Sequence, residues 1–177
     1  MKKILIICFV ISMLFGASLP TRAQNTPTEP MKIGTWILNA GIGLSSYGYG
    51  EGLWLHGFGF KVAAEKGLWQ AGPGVISLGG EAGMCVASHN GNNYSRFNIA
   101  PRSSYHYGWN VPGLDTYGGI AIIGLSFASY SHHSGNDVYI YGGLYAGASY
   151  FFTDNFAVNA ELGLGSTALQ VGIAYRF

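Results

Sequence analysis

The chain has 177 residues, of which 49% are hydrophobic, 15% aromatic and only 10% charged, with 28 glycines and a formal net charge of +1. That balance leaves no basic stripe for a nucleic acid. Beyond the N-terminal leader no stretch approaches 18 consecutive apolar residues, which excludes helical membrane spans and means that the hydrophobicity is spread by alternation.

The N-terminus reads as an export signal. Lys2 and Lys3 form a basic start, Ile4 to Phe15 an apolar run, and Thr21-Arg22-Ala23 sets small residues where a signal peptidase reads, so cleavage is predicted after Ala23. The apolar run is too short to span a bilayer, which takes roughly 20 residues. Cys8 lies inside it behind bulky Ile6 and Ile7, an unsuitable setting for lipidation. Cleavage leaves Cys85 as the one cysteine, so no intrachain disulfide can form. Residues 24–31 read as a flexible lead-in and residues 32–177 as one domain.

Eight segments then alternate apolar and polar with a period of two, the signature of half-buried strands. The first sets Trp36, Leu38, Ala40, Ile42 and Leu44 against Asn39, Gly41, Gly43 and Ser45. The second sets Phe58, Phe60, Val62 and Ala64 against Lys61 and Glu65. The third opposes Ile76, Leu78, Ala82, Met84 and Val86 to Ser77, Gly79, Glu81 and Cys85. The fourth opposes Phe97, Ile99, Pro101, Tyr105 and Tyr107 to Asn98, Ala100, Arg102, Ser104 and His106. The fifth, Tyr117 to Ser129, is apolar on both faces at Ile120–Ile123. The expected outward set there is Tyr117, Ala121, Ile123, Leu125 and Phe127, which puts aromatics at both ends.

In the sixth, Val138, Ile140, Leu144, Ala146, Ala148, Tyr150 and Phe152 oppose Tyr139, Tyr141, Tyr145 and Ser149. The seventh runs Phe156, Val158, Ala160, Leu162 and Leu164 against Asn159, Glu161 and Gly163. The last carries Leu169, Val171, Ile173, Tyr175 and Phe177 on one face and ends on that aromatic. Eight such segments form the smallest common closed transmembrane barrel, and an even count puts both termini on one side, predicted to be periplasmic.

Turn residues fall between the segments. Periplasmic turns are expected near residues 66–74, 108–115 and 153–155, and extracellular loops at 46–52, 88–95 and 131–137, with a tight turn at Ser166-Thr167. Pro101 removes a ladder donor, so a bulge is expected there.

The signal segment, the run Phe156–Gly165 and the terminal strand ending Tyr175-Arg-Phe177 resemble the small eight-stranded outer-membrane barrels of the OmpA/OmpX type, and the wider porin-like outer-membrane β-barrel proteins, over the whole mature chain. The resemblance implies Gram-negative outer-membrane lipid as surroundings and recognition of the last strand by the barrel-assembly machinery, with Val171, Ile173, Tyr175 and Phe177 as the face that is read. Two departures stand out. The loops are read as short where OmpX-type barrels have long protruding strands, and no periplasmic cell-wall-binding domain of the OmpA type is expected beside the barrel.

The inward faces carry Lys61, Glu65, Glu81, Arg102, His106, Glu161 and Arg176. Lys61, Glu81, Arg102 and Glu161 fall at comparable mid-barrel depth and should pair, since an unpaired charge in a narrow lumen is costly. They are expected to plug the lumen; a gate or a paired-carboxylate acid/base site is the sharper alternative. His132-His133, with Asp137, His56 and His89 near the same rim, makes a surface metal site conceivable, but adjacent residues on extended chain point apart, and solvated loop histidines are the expectation. The Gly-x-Gly-x-x-Gly-like spacings lie in strands with no following helix, so no nucleotide or other cofactor is expected.

No Gly-x-Ser-x-Gly elbow appears, and Ser88-His89 or Ser131-His132 does not make a triad. The expected protein is a non-enzymatic, monomeric outer-membrane barrel with a structural or surface-interaction role. A small-molecule conduit or apolar-ligand binder, with Trp54, Tyr139, Tyr141 and Tyr145 lining the upper lumen, is the alternative, and a lipid-modifying enzyme a more distant one. At fold level a soluble lipocalin-type barrel inverts every face, and which face points inward decides between them.

Overall fold

The computed structural model of the chain describes residues 31–49, 53–130 and 136–177. The leader with its cleavage after Ala23, and residues 24–30 of the lead-in, lie outside the described residues, as do His132 and His133. Eight strands follow one another: β1 (Trp36–Tyr49), β2 (Leu53–Ala71), β3 (Gly74–His89), β4 (Asn92–Tyr107), β5 (Leu114–Tyr130), β6 (Asn136–Phe151), β7 (Phe156–Gly163) and β8 (Leu169–Arg176). They close into one ring in sequence order, each antiparallel to its neighbours, with β8 joined to β1 from Ile37↔Arg176 to Leu44↔Leu169. Closure gives every strand two neighbours, the condition for backbone in a medium that cannot hydrogen-bond.

The faces fall as the membrane reading requires. Phe58, Ile42 and Leu144 are 71%, 66% and 66% exposed on the outside, while Glu65, Arg102 and Glu161 are 0%, 1% and 2% exposed within. A soluble barrel has the opposite arrangement, so the lipocalin alternative is set aside. On β1 the outward apolar run extends from Trp36 to Leu44 and gives way to Ser46. These nine residues, tilted by roughly 40°, cover about 23 Å, close to the roughly 25 Å of a bilayer-facing band. At the end that carries residues 31 and 177 (the terminal end) the band is edged by outward aromatics, among them Trp36, Phe156, Tyr175 and Phe177. Lys66 places its Nζ 5.7 Å from the Trp36 ring centre at that rim.

Parity holds over seven of the segments read from the sequence and breaks in the fifth; β2 also slips a residue against β3 between Gly67 and Trp69, beyond the end of its segment. Tyr117 and Ala121 are buried inside, not outward, whereas Ile123, Leu125 and Phe127 do face out. The cause is one extra residue. The register of β5 slips against β4 between Ile99 and Arg102, and against β6 between Ala121 and Gly124. Ile122 and Ile123 both face outward there, Ile123 with φ +55°. This is a β-bulge that reverses the alternation. It also accounts for Pro101. Odd-numbered β4 residues turn their backbone toward β5, as the Ser103 carbonyl does against Gly119. The missing donor of Pro101 therefore falls at the gap in the β4–β5 ladder, and the bulge expected in β4 lies in β5 instead.

Strand lengths differ from the sequence expectation of about ten residues. β2 to β6 are 16–19 residues long and overrun the band, whereas β7 and β8 have 8 each. The turn expected at 66–74 shrinks to Gly72-Pro73, and Asp115, expected in a turn, lies within β5. Met31 is buried and packs with Ile37, Val75, Phe151, Ala157 and Ala174 in an apolar floor at the terminal end.

Candidate functional site

The centre of the polar interior draws its charged groups and one tyrosine from five strands. Period-two alternation sends Lys61 and Glu65 of β2, Glu81 of β3, Arg102 of β4, Tyr145 of β6 and Glu161 of β7 to the same side of the wall. All are buried. Arg102 is the hub: its Nε lies 3.0 Å from Glu65 Oε2, its Nη1 donates to Glu81 Oε2 at 3.1 Å and its Nη2 to Glu161 Oε2 at 3.2 Å. The guanidinium carbon sits 3.8 Å from the Tyr145 ring centre, so one face of the cation is covered by an aromatic. Lys61 donates to Glu161 Oε1 and lies 3.7 Å from Glu81 Oε2. The four residues singled out in the sequence, Lys61, Glu81, Arg102 and Glu161, thus meet in one network.

Sequence reasoning left out the groups that complete it. Glu65 was read as inward but not counted with these four, and yet it is an Arg102 partner. Its Oε1 also accepts from Ser77 Oγ at 2.8 Å and Ser104 Oγ at 2.6 Å. Tyr117 donates to Glu161 Oε2 at 2.9 Å and takes a bond from Asn159 Nδ2 at 2.9 Å. Its misassigned face hid that role. Tyr145, read as a lining of the upper lumen, belongs to the core, whereas Tyr139 is 46% exposed at the far end and Tyr141 only half-buried. His56 and His89 reach the far rim without forming a metal-binding group among the described residues.

Toward the terminal end the network continues through His106. Its Nδ1 lies 3.0 Å from Asp115 Oδ2 and its Nε2 3.2 Å from Ser77 Oγ. Ser77, His106 and Asp115 therefore stand in the order of a nucleophile, base and orienting acid. The serine is 0% exposed, and the Glu65 carboxylate accepts its hydroxyl proton at the shorter distance. Below, Arg176 lies over Phe151 with its Cζ 4.0 Å from the ring centre and donates to the Asp154 carbonyl.

The far side of the network is covered by the β7–β8 connection, read in the sequence as a tight surface turn at Ser166-Thr167. Both residues are instead buried inside the barrel. Asn98 Nδ2 donates to Ser166 Oγ at 3.1 Å, and Thr167 Oγ1 to Gln170 Oε1 at 2.9 Å. Gly59 and Gly83 make room: a Cβ on Gly59 meets the Ser166 carbonyl, and one on Gly83 meets the Ser166 side chain. Gly83→Ala is therefore expected to push the turn out of the lumen at a cost of about 1–3 kcal/mol. Urea unfolding measures that cost, and a maleimide on Ser166→Cys, in a chain lacking Cys85, reads the accompanying gain in labelling rate.

An eight-stranded ring with polar interior, apolar exterior and aromatic rim defines a small transmembrane β-barrel. Among solved structures the chain is similar to Neisserial surface protein A, at 16% identity over 81% of this chain and 96% of that one, with a TM-score of 0.59. It is also similar to a de novo designed transmembrane β-barrel, at 20% identity over 84% of this chain and 99% of that one, with a TM-score of 0.52. No protein-family model and no curated protein matches the chain. At these identities the likeness bears on the fold, which is the small-barrel fold expected from the eight alternating segments.

Proposed function

We propose that this protein is a monomeric integral barrel of the Gram-negative outer membrane, with both barrel termini in the periplasm and a lumen closed by its own side chains. Its role is structural or surface-interacting, without catalysis. The observation that carries this reading is the Arg102 network. Three carboxylates, two cations and two tyrosines occupy the middle of an eight-stranded ring, which has room for side chains and little else. The inward β7–β8 turn above and the Met31–Phe151 floor below add to it. Val171, Ile173, Tyr175 and Phe177 form an exposed apolar face on the closing strand, which suits recognition by the barrel-assembly machinery.

The test is conductance of the purified barrel in planar lipid bilayers. The expected result is current at or below background. Discrete open-channel steps that change in Glu81→Ala overturn the closed lumen in favour of a conduit. The non-catalytic part is tested separately on the Ser77–His106–Asp115 line. Ser77 is expected to remain unlabelled by a fluorophosphonate probe in folded protein, and labelling lost in Ser77→Ala overturns that part.

A further inference from the structure

The partners of His106 fix where its ring hydrogens lie. Nδ1 faces both Asp115 oxygens, at 3.1 and 3.0 Å, and a carboxylate only accepts, so Nδ1 carries a hydrogen. Nε2 lies 3.2 Å from Ser77 Oγ. That hydroxyl has one proton and two acceptors beside it, Glu65 Oε1 at 2.8 Å and the Ser104 carbonyl at 3.3 Å. The nearer, charged acceptor takes the proton, which leaves Ser77 Oγ to accept from Nε2. Both ring nitrogens then donate, and the ring in this arrangement is an imidazolium. The charges inside the barrel agree. Among the described residues the buried acidic side chains are Glu65, Glu81, Asp115 and Glu161, four in all, against three buried Lys and Arg side chains, Lys61, Arg102 and Arg176. A charged His106 makes the count four against four, and an unmatched buried charge is costly. The Tyr117 ring lies 5.4 Å away, centre to centre, within range of a cation–π contact.

A neutral ring cannot keep these bonds. With the Nδ1 hydrogen held by Asp115, the proton that leaves is the one on Nε2, whose lone pair then accepts. Ser77 reaches both neighbours, so its hydroxyl turns from Glu65 to His106. Glu65 loses one donor on Oε1 and keeps Ser104 Oγ, at 2.6 Å, and Arg102. The buried interior is left with one negative charge in excess. A proton on His106 is thereby transmitted to the Arg102 hub by the rotation of one hydroxyl. The ring is approached from the terminal end. A cleft of about 440 Å³ lies there between residues 31–33, the β2–β3 turn and the β4–β5 turn, and buried His106 and Val75 line it together with Gln70 and Asn110. The groups that face the ring are Asp115 and Tyr117 of β5, Ser77 of β3 and, behind the serine, Glu65 of β2. Arg176 of β8 acts on Asp115, and Lys32 lines the cleft.

We propose that His106 is a proton-operated latch on the lumen plug, in which the Ser77 hydroxyl bonds Glu65 when the ring is charged and His106 when it is neutral. The inference does not depend on whether the lumen conducts. The test uses the full mature chain folded into lipid nanodiscs. The ring nitrogens of His106 and the side-chain carboxyl carbons of Glu65, Glu81 and Glu161 are followed by NMR over the pH range in which the barrel stays folded. The Glu65 carbon is expected to shift in step with the His106 ring, and by more than those of Glu81 and Glu161, which feel only the change of charge. In Ser77→Ala the ring still changes protonation, and the extra shift at Glu65 is lost. Ser104→Ala also removes a Glu65 donor, but not the one that His106 takes, so the extra shift is kept. A ring that holds one protonation state throughout, a Glu65 shift no larger than those of Glu81 and Glu161, or an extra shift that survives Ser77→Ala overturns the proposal.

Discussion

Arg102→Ala is expected to destabilise the barrel by about 3–5 kcal/mol, the largest effect of any single interior substitution. The loss does not come from the guanidinium's bonds alone. It leaves Glu65, Glu81 and Glu161 buried with only Lys61 between them, and Lys61 is placed against Glu161 and Glu81, not Glu65. Arg102→Lys is expected to recover less than half of the loss. An ammonium is a point charge, whereas the guanidinium reaches three carboxylates with one planar fork and stacks on Tyr145. The same account predicts strong non-additivity. Arg102→Ala combined with Glu65→Gln, Glu81→Gln and Glu161→Gln should be less damaging than Arg102→Ala alone, because the stranded charges are removed with their partner. Urea unfolding of the folded barrel in detergent or lipid measures each variant. A single-substitution loss below about 1 kcal/mol contradicts the hub role.

The second large effect is on the outer face. Val62 faces outward near the middle of the band, in register with Ala40 and Ala82. Val62→Arg is expected to cost about 2–4 kcal/mol, the penalty for a cation at the bilayer midplane. Further along the same strand the chain itself carries a cation on that face, Lys66, held over Trp36 at the rim. Ala64→Arg is therefore expected to fall between the midplane penalty and a rim cost of about 0–1 kcal/mol. Folding free energies into bilayers of defined thickness give this gradient, and a penalty that does not vary with depth rules out lipid as the medium on this face.

Most of the fold was legible because it follows from one period. Eight alternating segments set the strand count and the closure, and the fixed parity of seven of them set both faces; the same parity put Lys61, Glu81, Arg102 and Glu161 inside, and counting up from the turns put them at one depth. What was not legible needed information that alternation does not carry. At Ile120–Ile123 four apolar residues suit either face, so the bulge that flips β5 left no mark in the pattern, and Tyr117 was turned outward as a result. Ser166 and Thr167 have the composition of a surface turn; their burial depends on the space at Gly59 and Gly83, residues remote in sequence. Glu65 was read as inward, but its bond to Arg102 comes from the stagger between β2 and β4, which no single segment reveals. The overrun of β2 to β6 was missed because Gly- and Ser-rich stretches serve equally as loops and as strand ends outside the band.

The central claim is that the apolar face of every strand meets lipid and the charged face the lumen. It is tested most directly by spin labels placed one at a time along β8 from Leu169 to Phe177, in a chain lacking Cys85 and folded into bilayers. Collision with oxygen, which concentrates in hydrocarbon, is read at each site. Accessibility is predicted to alternate with period two, high at Leu169, Val171, Ile173, Tyr175 and Phe177 and low at Gln170, Gly172, Ala174 and Arg176. The same alternation with inverted phase, or none, contradicts the account.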